Sequence, residues 1–324
     1  MTNVLIILQR SRDYSEPYYR ALRERFPGIV VDLVDHVDKA GPYLDNADVL
    51  ITFGPHITDD AAARARRLKW VQSLGTGVDA VVNRPFPDNV IITTIRGIHT
   101  TPVSESILLA MLALSRDFVT ALHAQEERHW YRDAQPARSI EGSVTGIFGT
   151  GLIAFGLAAR LKALGSSVVG ISAAPRPLPN FDRMRHRDEL LAALPDLDFF
   201  VLLTPYVPAL HHIVGVEAFA AMKSTAYFIN MARGGLVDEA ALAAALNRGQ
   251  IAGAALDVFE VEPLPADHSL WSARNILITP HIAASASGNH EKSIDLICEN
   301  LRHFLAGDYA SMVNVVKRQQ EARG

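Results

Sequence analysis

Short apolar runs alternate with polar, helix-spaced segments through the first hundred residues. VLIIL (4–8), ADVLITF (47–53), WVQSL (70–74) and NVIITTI (89–95) predict strands. Between them, SEPYYRALRERF (15–26) and TDDAAARARRLK (58–69) carry helical spacing. This alternation predicts a parallel sheet with helices on both faces. Near residue 100 the texture changes to one continuous helical pattern, TTPVSESILLAMLALSRDFVTALHAQEERHW, with Pro102 suited to its start. A second series follows: SVTGIFG, SSVVGIS, LDFFVLLTP, STAYFINM, IAGAALDVF and NILITP as strands, with helical patterns between some of them. After Ile282 come a last helix and a polar tail. The expectation is an α/β protein of two doubly wound parallel-sheet domains. Residues 100–282 would form a dinucleotide-binding domain, and 1–99 with 283–324 a substrate domain.

Composition narrows the class without adding a function. The 324 residues are 49% hydrophobic and 20% charged, as in ordinary globular chains. A net charge of −4 argues against nucleic-acid or anionic-membrane partners. MTNVLIILQR lacks the basic leader and cleavage site of a signal peptide, and no apolar run reaches the ~18–20 residues of a membrane span. The single cysteine, Cys298, allows no intrachain disulfide and sits in a helical stripe where a buried structural thiol is expected. These readings point to a soluble cytoplasmic protein.

Gly149-Thr150-Gly151-Leu152-Ile153-Ala154 matches G-x-G-x-x-G/A between a strand and a helix. Gly149 permits the tight turn, Gly151 lets backbone approach a pyrophosphate, and Ala154 is small enough for close helix–strand packing. The helix start, with Leu152 and Ile153, offers free N–H groups to phosphates. An acid is expected ~20 residues further on, where it would accept hydrogen bonds from the ribose 2′-OH. Ser172 holds that place, and Arg176 follows four positions later. Loss of an acid and nearby gain of a base favour the 2′-phosphate of NADP(H), with NAD(H) the alternative. Arg183 and Arg185 are further cations in the vicinity by sequence.

Three later segments each deliver a reactive side chain beyond an apolar run: Arg233 in FINMARGGLVDE, Glu262 in ALDVFEVEPLP and His281 in ILITPHIAAS. In a doubly wound sheet the carboxyl ends of the strands face the ligand crevice. An Arg can grip a carboxylate through two hydrogen bonds, a His can exchange a proton near neutrality, and a carboxylate beside it favours the imidazolium. Singly, each has an ordinary structural use; together behind a nucleotide motif they suggest a catalytic set.

From GTGLIAFGLAARLKALG, INMARGGLVDEAALAAAL, AALDVFEVEPLP and TPHIA, in that order, the chain resembles the D-isomer-specific 2-hydroxyacid dehydrogenases. The resemblance implies a Rossmann cofactor domain, a flavodoxin-like substrate domain and a homodimer formed through the cofactor domain. It implies that Arg233 binds the substrate carboxylate, that His281 exchanges the proton and that Glu262 pairs with His281. It further implies a carboxylate loop at SLGTGVD, where Leu74, Gly75, Thr76 and Gly77 act mainly through backbone N–H groups. Asp257 would hold the nicotinamide carboxamide, with Thr204, Met231 and Ala232 beside the cofactor. No metal is implied. The leading substrate is a small 2-oxoacid such as glyoxylate or hydroxypyruvate, with an apolar 2-oxoacid the open alternative. A phosphorylated one is disfavoured because His56 is the only possible cation in the loop GPHIT. Two other readings stay open: a formate dehydrogenase-like enzyme, against which Glu262 speaks because that subgroup pairs its His with Gln, and a corepressor-like dinucleotide-binding protein.

Overall fold

The computed structural model describes residues 1–75, 77, 79–132 and 137–316. Its strands are β1 (Asn3–Ile7), β2 (Val30–Val34), β3 (Val49–Thr52), β4 (Trp70–Ser73), β5 (Ile91–Thr94), β6 (Val144–Phe148) and β7 (Ser167–Ser172). They continue with β8 (Arg183–His186), β9 (Phe199–Leu202), β10 (Tyr227–Asn230), β11 (Gly253–Leu256), β12 (Ile276–Ile278) and β13 (Val315–Val316). The chain divides into two compact units, one of residues 1–98 with 286–324 and one of residues 99–285. Compared with the boundaries expected from sequence, His99 and residues 283–285 fall with the second unit.

The first unit holds a sheet of order β13-β5-β4-β3-β1-β2. Its five long strands run parallel in the flavodoxin-like order, and β13 adds an antiparallel edge against β5. β3 and β4 are buried along their whole length, and their polar residues Thr52 and Gln72 are satisfied there by hydrogen bonds to the Ile7 and Ser73 carbonyls and from the Thr93 hydroxyl. The helix Asn289–Ala306 lays Ile294, Ile297, Leu301 and Phe304 onto the core shared by Val4, Ile6 and Tyr18. Cys298 is buried in that core, and burial pushes its thiol pKa up, away from reactivity.

The second unit holds a parallel sheet of order β12-β11-β10-β9-β6-β7-β8, the Rossmann order with one further strand beyond β11. The order reverses at β6, so the crevice of this unit opens where β6 and β9 diverge. Two features depart from the sequence pattern. The single helix expected across 103–130 is two, Thr100–Ser115 and Phe118–Glu126, bent by 72°. Asp117 breaks it by taking a left-handed conformation (φ 51°), which Asp tolerates better than most residues. The segment RMRH, in which no strand was expected, forms edge strand β8; its charged side chains suit an edge.

Candidate active site

The glycine turn follows β6 directly. Gly149 has φ +104°, and a Cβ there would lie 2.6 Å from the Thr204 nitrogen and 2.7 Å from the Leu203 carbonyl carbon. Only glycine satisfies both the backbone angle and the approach of the strand end after β9. The same contact sets Thr204 beside the turn. A Cβ on Gly151 would meet nothing within 4 Å, so the chain presents bare backbone to open space there. Gly151 caps the helix Leu152–Ala163 without a side-chain hydrogen bond, leaving first-turn N–H groups for an anionic ligand. Ala154 is fully buried against Ile147, Leu157 and Ala158. These features fit a dinucleotide pyrophosphate.

At the end of β7, the Ser172 hydroxyl is buried and has no hydrogen-bond partner among the described residues. Such a group is uncommon in a folded chain and fits a ligand contact. In register with Ser172 on β8 stands His186, which sequence reading missed. Its Nε2 lies 3.0 Å from the Ala173 carbonyl, and its Nδ1 lies 3.2 Å from an Asp188 oxygen. His186 thereby ties down the loop that leads to the exposed Arg176. Arg185 is spent on Glu189, at 3.5 Å, and it shares a register position with Ile171 rather than with Ser172.

Arg233, Glu262 and His281 follow β10, β11 and β12, three adjacent strands of one sheet. Each arrives on a turn held by a buried polar group. Asn230, 1% exposed, donates to the Arg233 carbonyl (2.9 Å) and accepts from Ala232 N–H (3.0 Å). Asp257, 2% exposed, accepts from the Thr279 hydroxyl (2.6 Å) and from the N–H groups of Ile282 (2.8 Å) and Ala283 (2.9 Å). These bonds fix the turn on which His281 adopts φ +55°, a costly conformation that persists where surrounding structure over-determines it. Asp257, expected to face the nicotinamide carboxamide, thus braces the His281 turn, and its Oδ2, with the Ala283 N–H as its one donor among the described residues, keeps acceptor capacity. Met231 is half-buried and Ala232 buried within the same segment as Arg233.

His281 Nδ1 lies 2.7 Å from Glu262 Oε2, and the other Glu262 oxygen accepts the Phe259 N–H at 3.0 Å. The Glu262 hydrogen bond raises the His281 pKa, against burial, with the charges of Glu262 and Asp257 adding to it and Arg233 opposing it. Burial works to raise the Glu262 pKa, but the bonds from His281 and Phe259 and the charges of His281 and Arg233 bring it below the usual value. Both shifts describe an imidazolium–carboxylate pair. With Nδ1 committed to Glu262, Nε2 is the nitrogen left for a substrate.

In the first unit the expected carboxylate loop follows β4. The Leu74 N–H extends the sheet ladder to Thr52 (2.9 Å), and the Gly75 N–H is taken by the Ser73 hydroxyl (3.2 Å). Gly77 is half-buried, and Thr76 lies outside the described residues. The loop GPHIT also has more charge beside it than its own residues supply. Arg10, arriving from β1, stands 5.8 Å from the Phe53 ring centroid. His56 accepts the Gln9 N–H at Nδ1 (3.1 Å), and burial, followed by the Arg10 and His36 charges, lowers its pKa.

One His–His–Glu group, His211, His212 and Glu260, brings candidate ligand atoms within 4.8 Å of one another. The two imidazoles are stacked 3.8 Å apart and 23° from parallel, so their in-plane lone pairs do not converge on a shared ion.

Residues 108–283 match the family described as D-isomer specific 2-hydroxyacid dehydrogenase, NAD binding domain. A D-3-phosphoglycerate dehydrogenase of Methanocaldococcus jannaschii is 32% identical over 285 residues, 87% of this chain and 54% of that one. The chain therefore spans about half the length of that relative. A glyoxylate reductase of Thermococcus gammatolerans is 30% identical over 272 residues, 81% of each protein. The crystal structure of an NADPH-dependent glyoxylate/hydroxypyruvate reductase from Sinorhizobium meliloti, in complex with NADP and sulfate, aligns with a TM-score of 0.84 at 28% identity, covering 98% of this chain and 99% of that one. With the Rossmann order, the glycine turn and the Arg–Glu–His strand ends now in place, the chain belongs to the D-isomer specific 2-hydroxyacid dehydrogenase family.

Proposed function

We propose that this chain reduces small 2-oxoacids to D-2-hydroxyacids, and runs the reverse oxidation, with NADP(H) as its preferred cofactor. The observation that carries this reading is the 2.7 Å Glu262–His281 contact, on a sheet edge that also delivers Arg233. A bound nicotinamide supplies the hydride that adds to the substrate carbonyl carbon. Arg233 grips the substrate carboxylate and polarises the keto oxygen. His281, kept cationic by Glu262, gives its Nε2 proton to the oxygen as the carbonyl bond opens, so hydride and proton together make the hydroxyl. In the oxidative direction neutral His281 takes that proton back. Asp257 and Asn230 act from beneath by holding the His281 and Arg233 turns.

The NADP(H) preference rests on Ser172 where an acid would repel the 2′-phosphate, and on Arg176 four residues further on. The S. meliloti relative is itself NADPH-dependent. Glyoxylate and hydroxypyruvate are the leading substrates. Arg10 favours a second reading, a 2-oxoacid with another anionic group, because it adds a cation beside the GPHIT loop. We further propose a cytoplasmic homodimer joined through the second unit, where Leu109, Leu112, Phe118 and Leu122 expose apolar surface on the paired helices. The test is a steady-state screen of glyoxylate, hydroxypyruvate and 3-phosphohydroxypyruvate with NADPH and NADH. Turnover of glyoxylate or hydroxypyruvate with higher kcat/KM for NADPH is expected. No turnover of any 2-oxoacid would leave the chain a binding protein.

A further inference from the structure

We propose that Glu239 is a positioning residue for the Glu262–His281 pair, holding the turn from which Glu262 reaches the imidazole. This rests on the catalytic reading above. Glu239 opens the helix Glu239–Asn247, but Asp238 is the residue that caps that helix, through Ala241 N–H at 2.9 Å. Glu239 is nevertheless 8% exposed, and a carboxylate that deeply placed needs specific partners.

It has two. One oxygen accepts the Glu260 N–H at 2.8 Å, and the other lies 3.2 Å from His268 Nε2. His268 Nδ1 accepts the Leu270 N–H at 3.4 Å, which leaves the ring proton on Nε2, facing Glu239, even in the neutral form. The amide next to the one Glu239 holds, that of Phe259, is the donor that anchors Glu262 Oε1 at 3.0 Å. Gly234 presses on the same peptide from the other segment. A Cβ there would fall 1.9 Å from the Phe259 carbonyl carbon and 2.2 Å from the Glu260 nitrogen. Gly234 and Glu239 therefore clamp the Phe259–Glu260 peptide, and both lie in the segment that begins with Arg233. The clamp couples the Arg233 turn to the Glu262 turn, so the carboxylate grip and the proton donor keep one spacing.

The charged groups around the two carboxylates separate the roles. Glu239 faces His268, Glu260 and His212. His281 faces Glu262, Asp257 and Arg233. Glu239 thus acts on His281 through the position of Glu262 and not by its own field. Loss of Glu239 should loosen the Glu262–His281 contact while leaving the cofactor turn at Gly149–Ala154 as it was.

The experiment is an NMR titration of His281 in the full chain, with its signal assigned through His281→Asn, in wild type, Glu239→Ala and Glu239→Gln. A full opposite charge moves a neighbouring pKa by ~1–3 units, so a loosened one should lower that of His281 by about half to one unit in Glu239→Ala. In the same variant kcat should fall by ~10-fold, since small misplacements of reacting groups are costly, with NADPH Kd changed less than about twofold. Glu239→Gln keeps an acceptor for the Glu260 N–H and should stay within about threefold of wild-type kcat. A wild-type His281 pKa in Glu239→Ala, with only Tm lowered, would overturn the proposal. If Glu239→Ala does not fold, Glu239→Asp, one methylene too short to reach both partners, carries the same test. If wild type turns over no 2-oxoacid, the catalytic reading fails, yet the titration still decides whether Glu239 sets the Glu262–His281 contact.

Discussion

The two halves of the second sheet's carboxyl edge are built in opposite ways. After β10, β11 and β12, buried Asn230, Asp257 and Glu239 spend their hydrogen bonds on the turns that carry Arg233, Glu262 and His281. After β6 and β7, the chain offers bare backbone at Gly151, a Ser172 hydroxyl without a hydrogen-bond partner among the described residues, and an exposed Arg176. In the first half the turns are held from within the chain, whereas in the second the polar groups themselves await a ligand. Proton transfer demands fixed distances, so its groups are braced from below. Cofactor discrimination needs only a favourable charge and room for a phosphate, which a loop anchored at one end by His186 can supply.

Substitutions on the braced half should cost catalysis, and those on the open half should change which cofactor is used. The largest loss belongs to His281→Ala. General acid catalysis contributes ~10²–10⁴-fold, and kcat should fall by at least that while NADPH still binds by fluorescence titration. Near-normal kcat in a folded variant would remove His281 from the chemistry. Arg233→Lys keeps the charge but loses the planar fork, so kcat/KM for the 2-oxoacid should drop by roughly 10–10²-fold through both constants. If both survive, Arg233 is structural and the braced half is smaller than described. On the open half, Ser172→Asp places a carboxylate against the 2′-phosphate and should move the NADPH/NADH preference by ~10-fold or more. Arg176→Ala should raise KM for NADPH by a few fold, with KM for NADH little changed, the ~0.2–1 kcal/mol scale of a solvent-exposed ion pair. A wild-type enzyme that prefers NADH would reverse the assignment of this corner.

The two halves also differ in how much of them a sequence reader can see. Arg233, Glu262 and His281 stand out because each follows an apolar strand run that ends in turn residues. Their braces do not. Asn230 is one polar letter in FINM, and Glu239 looks like an ordinary first-turn helix residue; its partner Glu260 is 21 residues away, a pairing that only the parallel sheet creates. Asp257 is conspicuous in sequence, but its bonds to the His281 turn are not, because Thr279, Ile282 and Ala283 lie 22 to 26 residues away. His186 was invisible because RMRH lacks the apolar alternation of a strand, and without β8 nothing puts it opposite Ser172. The double winding of both sheets was legible from the alternation of runs. The break at Asp117 was not, because helical apolar spacing continues across it while the backbone turns.

The claim on which the catalytic reading depends is that Glu262 keeps His281 protonated for transfer. Reduction requires the imidazolium, so its rate should be high below the raised His281 pKa and fall as pH rises through it. Glu262→Gln removes the charge but keeps the shape, which lowers the His281 pKa. The decisive measurement is the pH profile of hydroxypyruvate reduction in wild type and Glu262→Gln, under conditions where a solvent isotope effect shows proton transfer to limit the rate. The alkaline limb is expected ~1–3 units lower in the variant, the span of a lost opposite charge. Superimposable limbs would mean that the 2.7 Å contact does not tune the proton donor, and would contradict the account.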